Sequence, residues 1–83
     1  MNNNLYKIVN ITFKDGSSRN EIAYQNRINK IGRIIQLEIG RSLVFIYDNE
    51  NNGIVTSHVQ SIADSVDKIT VETENSIFYL EIV

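Results

Sequence analysis

The sequence contains no cysteine, no tryptophan and no proline, and it has a single histidine. Without cysteine there are no disulfides, thiolate metal sites, iron–sulfur clusters or cysteine nucleophiles, which fits a chain made for a reducing, cytoplasmic compartment. The lone histidine, His58, follows Ser57. Strand neighbours point to opposite faces, so this pair cannot serve as nucleophile and base through its side chains. Glycine is sparse: Gly16, Gly32, Gly40 and Gly53 stand apart, and none opens a helix in a strand–turn–helix unit. A phosphate-cradling loop of the nucleotide-enzyme kind is therefore absent. Long apolar runs are missing too. Leu43 to Tyr47 is the longest, far short of the roughly 20 residues that span a bilayer. Met1 to Asn4 carries no basic segment leading into an apolar one, so neither a secretory leader nor a membrane span is expected.

Two acidic motifs invite chemistry and answer poorly to it. Asp48 to Gly53 starts like a calcium loop, with oxygen-bearing residues at the first, third and fifth places and glycine at the sixth. Its twelfth place is Val59, where the closing glutamate belongs. A solvated hairpin loop is the expectation. Glu72 and Glu74 share a face while a strand continues, yet a glycosidase sets its carboxyls on opposite sides of the scissile bond, among sugar-stacking aromatics. They read as charged positions on an edge hairpin. With so few groups left to assemble a site, the sequence points to a protein without catalysis, cofactor or metal.

What the chain does have is strand patterning. Its 83 residues are 42% hydrophobic and 22% charged, too apolar for disorder and enough for one small domain over residues 1–83. Leu5, Lys7, Val9, Ile11 and Phe13 alternate with Tyr6, Ile8, Asn10, Thr12 and Lys14, a period of two that ends at the turn pair Asp15-Gly16. Arg33 to Ile39 and Ser42 to Asp48 read as strands about a Gly40-Arg41 turn. The second, apolar at Leu43, Phe45 and Tyr47 and also at Val44 and Ile46, is expected to be central and buried on both faces. The loop from Asp48 ends in Asn52-Gly53, a hairpin signal. Ile54 to Ile62, Ile69 to Thr73 and Ile77 to Val83 follow as strands.

Residues 17 to 32 carry two patterns. Ser18 and Glu21 have capping-box spacing, and Tyr24, Ile28, Ile31 and Ile35 fall at helical spacing; Ile22, Tyr24, Asn26 and Ile28 also run at a period of two. Strand or irregular structure and a short helix are about equally open, and the strands on every side tip the reading slightly toward strand. The fold expected is all-β with room for one short helix: a small antiparallel, SH3-like barrel.

From Gly32 onward the chain reads Gly32-x4-Leu37-Glu38-x-Gly40, Leu43-x-Phe45-x-Tyr47, Gly53 with Thr56-Ser57-His58-Val59, and Thr73-Glu74-Asn75-Ser76-Ile77-Phe78. It resembles a loose group of small all-β proteins encoded on conjugative transposons and prophages of Gram-positive bacteria. The resemblance implies an SH3-like barrel with accessory duties on a mobile element, and no catalytic residues to carry over. Phe78 departs from the group's tyrosine after Asn-Ser-x, so no hydroxyl role transfers to that position.

Charge is distributed unequally. Residues 1–41 hold seven Lys or Arg against three acids, and residues 42–83 one Lys against seven acids. Opposite fields on one small domain suggest a charged partner or head-to-tail self-association. The expected role is a binding or accessory module whose partner is a protein. Tyr24, Arg27, Lys30, Arg33 and Arg41, with Arg19 in the same series, are the candidate contact residues. A second reading gives these cations and Tyr24 to single-stranded nucleic acid, as phosphate contacts and a stacking platform. A third offers Asp64, Asp67, Glu72 and Glu74 as a phosphate mimic toward a nucleic-acid machine.

Overall fold

A computed structural model of the protein describes residues 4–83. Six antiparallel strands, each hydrogen-bonded to the next in chain order, close into a barrel-like ring. They are β1 (Tyr6–Thr12), β2 (Ile31–Gln36), β3 (Ser42–Tyr47), β4 (Gly53–Asp64), β5 (Lys68–Thr73) and β6 (Ile77–Ile82), and β1 pairs with β6 to complete the circuit. One single-turn helix, α1 (Ile22–Gln25), lies between β1 and β2. The all-β class and the small antiparallel barrel expected from the patterning are what forms.

Every strand sends side chains inward. Ile8, Ile11, Leu43, Phe45, Val59, Val71 and Leu80 are sealed from solvent, and Ile34 of β2 joins them. Each such burial stabilises by about 1.5–3 kcal/mol before the cost of ordering the chain. The inward set does not follow simple alternation. In β1, Tyr6 and Ile8 face in, and then the phase flips so that Ile11, opposite Phe78, faces in. A bulge between Ile8 and Asn10 causes the flip, and the Asn10 side-chain oxygen accepts the Ile11 N–H at 2.9 Å. Twelve-residue β4 does the same twice: its first part pairs with β3 and its second with β5, with irregularities in each ladder. At the first of these, Thr56 Oγ1 accepts the Leu43 N–H at 3.0 Å.

The ring is uneven, and its short seam lies between β1 and β2. Only Tyr6 with Gly32 and Lys7 with Ile31 are in register there, while β1 and β6 pair along their whole length. Two further backbone bonds extend the seam, Ile8 N–H to Lys30 carbonyl at 3.0 Å and Asn29 N–H to Ile8 carbonyl at 2.7 Å. Asn29 adopts a positive φ of 71° to direct that second bond, a conformation asparagine tolerates better than most residues.

Several expectations change. Residues 17 to 32 take the irregular form with a short helix and not the strand: α1 makes one helical turn, residues 26–29 continue as turn, and only Ile31 and Gly32 enter β2. The Ser18–Glu21 capping box does not form, because Ser18 bridges to Thr12 and Glu21 itself is the N-cap, with no side-chain cap bond. Strand β3 is buried on one face only. A closed sheet has one interior, so Leu43, Phe45 and Tyr47 fill it, leaving Val44 half-buried and Ile46 43% exposed. The chain reverses before Asn52-Gly53, at Asn49 with φ 61°. Gly53 is instead the first residue of β4, in a flat place where a Cβ would collide with the Phe45 carbonyl.

Gly32 is not a break but the tightest point of the sheet. It pairs with Tyr6 on one side and Tyr47 on the other, and a Cβ there would strike the Ile46 carbonyl and lie 2.9 Å from the Phe45 ring. Gly32→Ala is expected to cost about 2–3 kcal/mol, the upper range for overpacking. In a domain of this size that lowers Tm by roughly 10–20 °C. Thermal melts followed by circular dichroism check it; an unchanged Tm would show that the strands spread without cost.

Candidate functional site

Arg19 determines where the segment between β1 and β2 rests. Its guanidinium stacks over the Tyr24 ring at 3.9 Å and over Phe13 at 4.4 Å, bonds the Glu21 carboxylate at 2.5 Å, and donates to Ser76 Oγ at 2.6 Å and the Asn75 carbonyl at 3.2 Å. Only 12% of the side chain is exposed. An arginine satisfied on all sides is a strut, not a ligand-binding cation. It pins the irregular segment to the β5–β6 turn, whose own geometry is held by Thr73 Oγ1, acceptor of the Ser76 N–H at 3.2 Å. With Tyr24 and Ile28 packed against the core, α1 covers one end of the barrel.

The candidate residues separate into two groups. Tyr24, Arg27 and Lys30 lie in and just after α1: the Arg27 guanidinium is 4.7 Å from the Tyr24 ring centre, and Arg27 and Lys30 border one cleft. Arg33 and Arg41 sit on the outer side of the β2–β3 hairpin, so the five do not make one basic patch. Most of these cations already have anions. Lys30 pairs with Glu50 at 2.6 Å, Arg33 with Asp48 at 3.6 Å and Arg41 with Glu38 at 4.0 Å, while Lys14, outside the series, pairs with Glu72 at 3.1 Å. Arg27 alone of the series has no carboxylate partner among the described residues. The charge imbalance along the chain is thus largely cancelled within the fold, since the Lys14, Lys30 and Arg33 pairs each join the basic half to the acidic half. Nucleic-acid affinity grows with each phosphate a free cation neutralises, and Tyr24, sharing its ring with two guanidiniums, is a poor base-stacking platform.

The acidic series is also partly occupied. Glu72 holds Lys14 and accepts from Ser61 Oγ at 3.1 Å, and Glu74 accepts the His58 N–H at 3.2 Å. Neither lies on a sheet edge, because the ring has closed. Asp48 and Glu50 of the calcium-like loop serve Arg33 and Lys30, and among the described residues no three His, Cys, Asp or Glu gather to hold a metal. His58 is exposed, and no hydrogen bond joins it to Ser57.

The feature missed by sequence reasoning is an apolar row on the outside of the sheet. Val44 and Val55 are register partners, Ile46 lies two residues from Val44 on the same face, and Ile35 is exposed on neighbouring β2 at the irregularity between Ile34 and Gln36. Val55 is 70% exposed and Ile35 58%. Ion pairs frame the row, Arg33–Asp48 toward one end of the hairpin and Glu38–Arg41 at the other. The signal was present as the second apolar set of β3. Apolar residues on both sides of a strand suggest burial on both faces, whereas a barrel has one interior and nothing in this fold covers the outside of β3.

No family model, no curated protein and no solved structure matches the chain. Among the described residues no helix is long and apolar enough to cross a membrane.

Two outcomes follow from the polar contacts. Losing the charge-assisted bonds of Arg19 costs about 1.5–3 kcal/mol, so Arg19→Ala should speed amide exchange across residues 17–30 by roughly 10- to 100-fold while β3 to β5 stay protected. Equal acceleration everywhere would deny Arg19 its local role. Three carboxylates sit below their ordinary pKa: Asp15 through bonds from Ser17, Glu21 through Arg19, and Glu72 through Lys14 and Ser61. Folded-state values below the unfolded ones give stability that is present at neutral pH and lost as pH falls through the folded values. Tm should stay level from neutrality to about pH 5 and decline below the ordinary glutamate value of 4.5. Each exposed pair contributes little, and Glu72→Gln should make the decline shallower. A Tm that rises on acidification would contradict this.

Proposed function

We propose that the protein is a non-catalytic protein-binding module that docks its partner on the outer face of β2, β3 and β4. The observation that carries this reading is the row of Ile35, Val44, Ile46 and Val55 framed by ion pairs. Stable contacts between proteins have that composition, an apolar centre that loses water and a polar rim that sets register. The partner's surface is correspondingly apolar at its centre with charges of both signs around it. The sequence resemblance is the reason to seek that partner among cytoplasmic proteins encoded beside conjugation or phage genes, with the module as an accessory of a mobile element. Single-stranded nucleic acid is the weaker alternative, because most of the cations it would need are held by the protein's own carboxylates.

A photo-crosslinking amino acid at Val55, expressed in the native host, should give a discrete adduct that disappears when Ile46→Asp is added. The same reporter at Lys68, on the far side of the ring, should give none. An adduct of twice the protein's mass would identify the partner as a second copy. No adduct from position 55, or equal adducts from both positions, would defeat the proposal.

A further inference from the structure

The cleft between α1 and the β3–β4 hairpin has a volume of about 560 Å³ and is bordered by Asn26, Arg27, Lys30, Tyr47, Glu50 and Asn52. Clefts of this size accommodate small organic molecules. Arg27 carries five N–H donors on a half-buried side chain, and none has an acceptor among the described residues. Lys30 gives one donor to Glu50 and retains two.

Tyr47 supplies an independent sign. It is 6% exposed, and its hydroxyl makes no hydrogen bond among the described residues. Among the described residues no fully enclosed side-chain polar atom in a non-exposed residue lacks a partner, so the hydroxyl of Tyr47, a residue bordering the cleft, keeps a little exposure, and the Lys30 ammonium lies 5.3 Å from the centre of its ring. Its electrostatic neighbours are Arg27, Lys30 and Glu50. Burial raises its pKa above the ordinary tyrosine value, more than the two cations lower it, so it stays a neutral donor. A buried tyrosine normally finds a partner for its O–H, and here the open direction leads to two cations.

We infer that this cleft is a binding site for a small phosphate monoester, held by the Arg27 guanidinium, the Lys30 ammonium and the Tyr47 hydroxyl. A monoester brings close to two negative charges and three acceptor oxygens. The guanidinium fork suits two of those oxygens, leaving the third for the ammonium and hydroxyl. A lone carboxylate would leave these donors underused. The cleft is larger than a phosphate, so the esterified group has room between Asn26 and Asn52. Glu50 is the antagonist within the site: it occupies Lys30 and repels an incoming anion, which keeps affinity modest and makes its neutralisation the most telling change.

The test is an ¹⁵N-correlation titration of the full chain with inorganic phosphate and with phenyl phosphate, against sodium chloride at matched ionic strength. Saturable shifts are expected at amides of residues 26–30 and 52–54 with both phosphates and not with chloride. Arg27→Gln should weaken binding by ~10-fold or more and Tyr47→Phe by ~3- to 10-fold, as for loss of a charged and a neutral hydrogen bond. Glu50→Gln should tighten binding by ~3- to 10-fold, the scale of a nearby half-exposed charge. Tightening in Glu50→Gln is a gain that misfolding cannot imitate, and Tyr47→Phe keeps the buried ring. Shifts that never saturate, that chloride reproduces, or that ignore Glu50→Gln would overturn the site. So would an eight-nucleotide oligothymidylate that binds these amides more tightly than phenyl phosphate and releases steeply with salt, since that pattern belongs to a polyanion groove.

Discussion

Closure of the sheet between β1 and β2 is the constraint on which the remaining structure depends. The two strands share so short a ladder that its quality rests on Gly32, where a missing side chain lets β2 fit between Tyr6 and Tyr47 with its backbone against β3. Beyond Ile8 the seam has no regular partner for β1. The segment leading to β2 supplies one in pieces, through Asn29, Lys30, the Thr12–Ser18 bridge and the Phe13–Ser17 bond. Arg19 then fastens that segment to the β5–β6 turn on the opposite side of the opening. The helix that covers the barrel end is held by this bracing far more than by its own four residues, which are too few to stand alone.

The distribution of charge along the chain acquires a different meaning in the fold. A basic first half and an acidic second half look like two fields pointing outward, yet three of the ion pairs stitch one half to the other. At least part of the asymmetry is therefore an instruction for pairing, weak at each exposed site and consistent in direction. Two features of the fold stand outside this pairing. Arg27 stands without a carboxylate in a cleft that also receives a tyrosine hydroxyl, and an outer row of aliphatic side chains lies between ion pairs. Neither is visible in net charge.

Strands were legible wherever apolar residues came in short runs between turn pairs, because a half-buried sheet imposes that rhythm. The turns at Asp15-Gly16 and Gly40-Arg41 were legible for the same reason: both glycines take positive φ. Bulges were not legible. The flip of phase at Asn10 depends on a side-chain oxygen capping the next N–H, and the irregular pairing of β4 on Thr56 doing likewise for Leu43, choices that many polar residues offer and few make. Residues 17 to 32 were illegible for a further reason: their conformation is set by Arg19, Phe13, Ser76 and Asn75, contacts between distant parts of the chain. Of the candidate site, Arg27 was brought to Tyr24 on one side and to Lys30 on the other. Arg33 and Arg41 went elsewhere, and Tyr47 was counted only as core.

Pairing of β1 with β6 also bears on how the fold is reached during synthesis. The Leu5 carbonyl accepts the N–H of Val83, and Tyr6 faces Ile82, so β1 must wait for β6. Contacts between strands far apart in sequence carry a loop-closure cost and slow folding. On the ribosome β1 emerges early with Ile8 and Ile11 uncovered and one edge unpaired, while β2 to β5 can build a meander by adding neighbours one at a time. The ring becomes a ring only when Ile77 to Ile82 clear the exit tunnel, which makes the final strand the step that removes an aggregation-prone edge from the nascent protein.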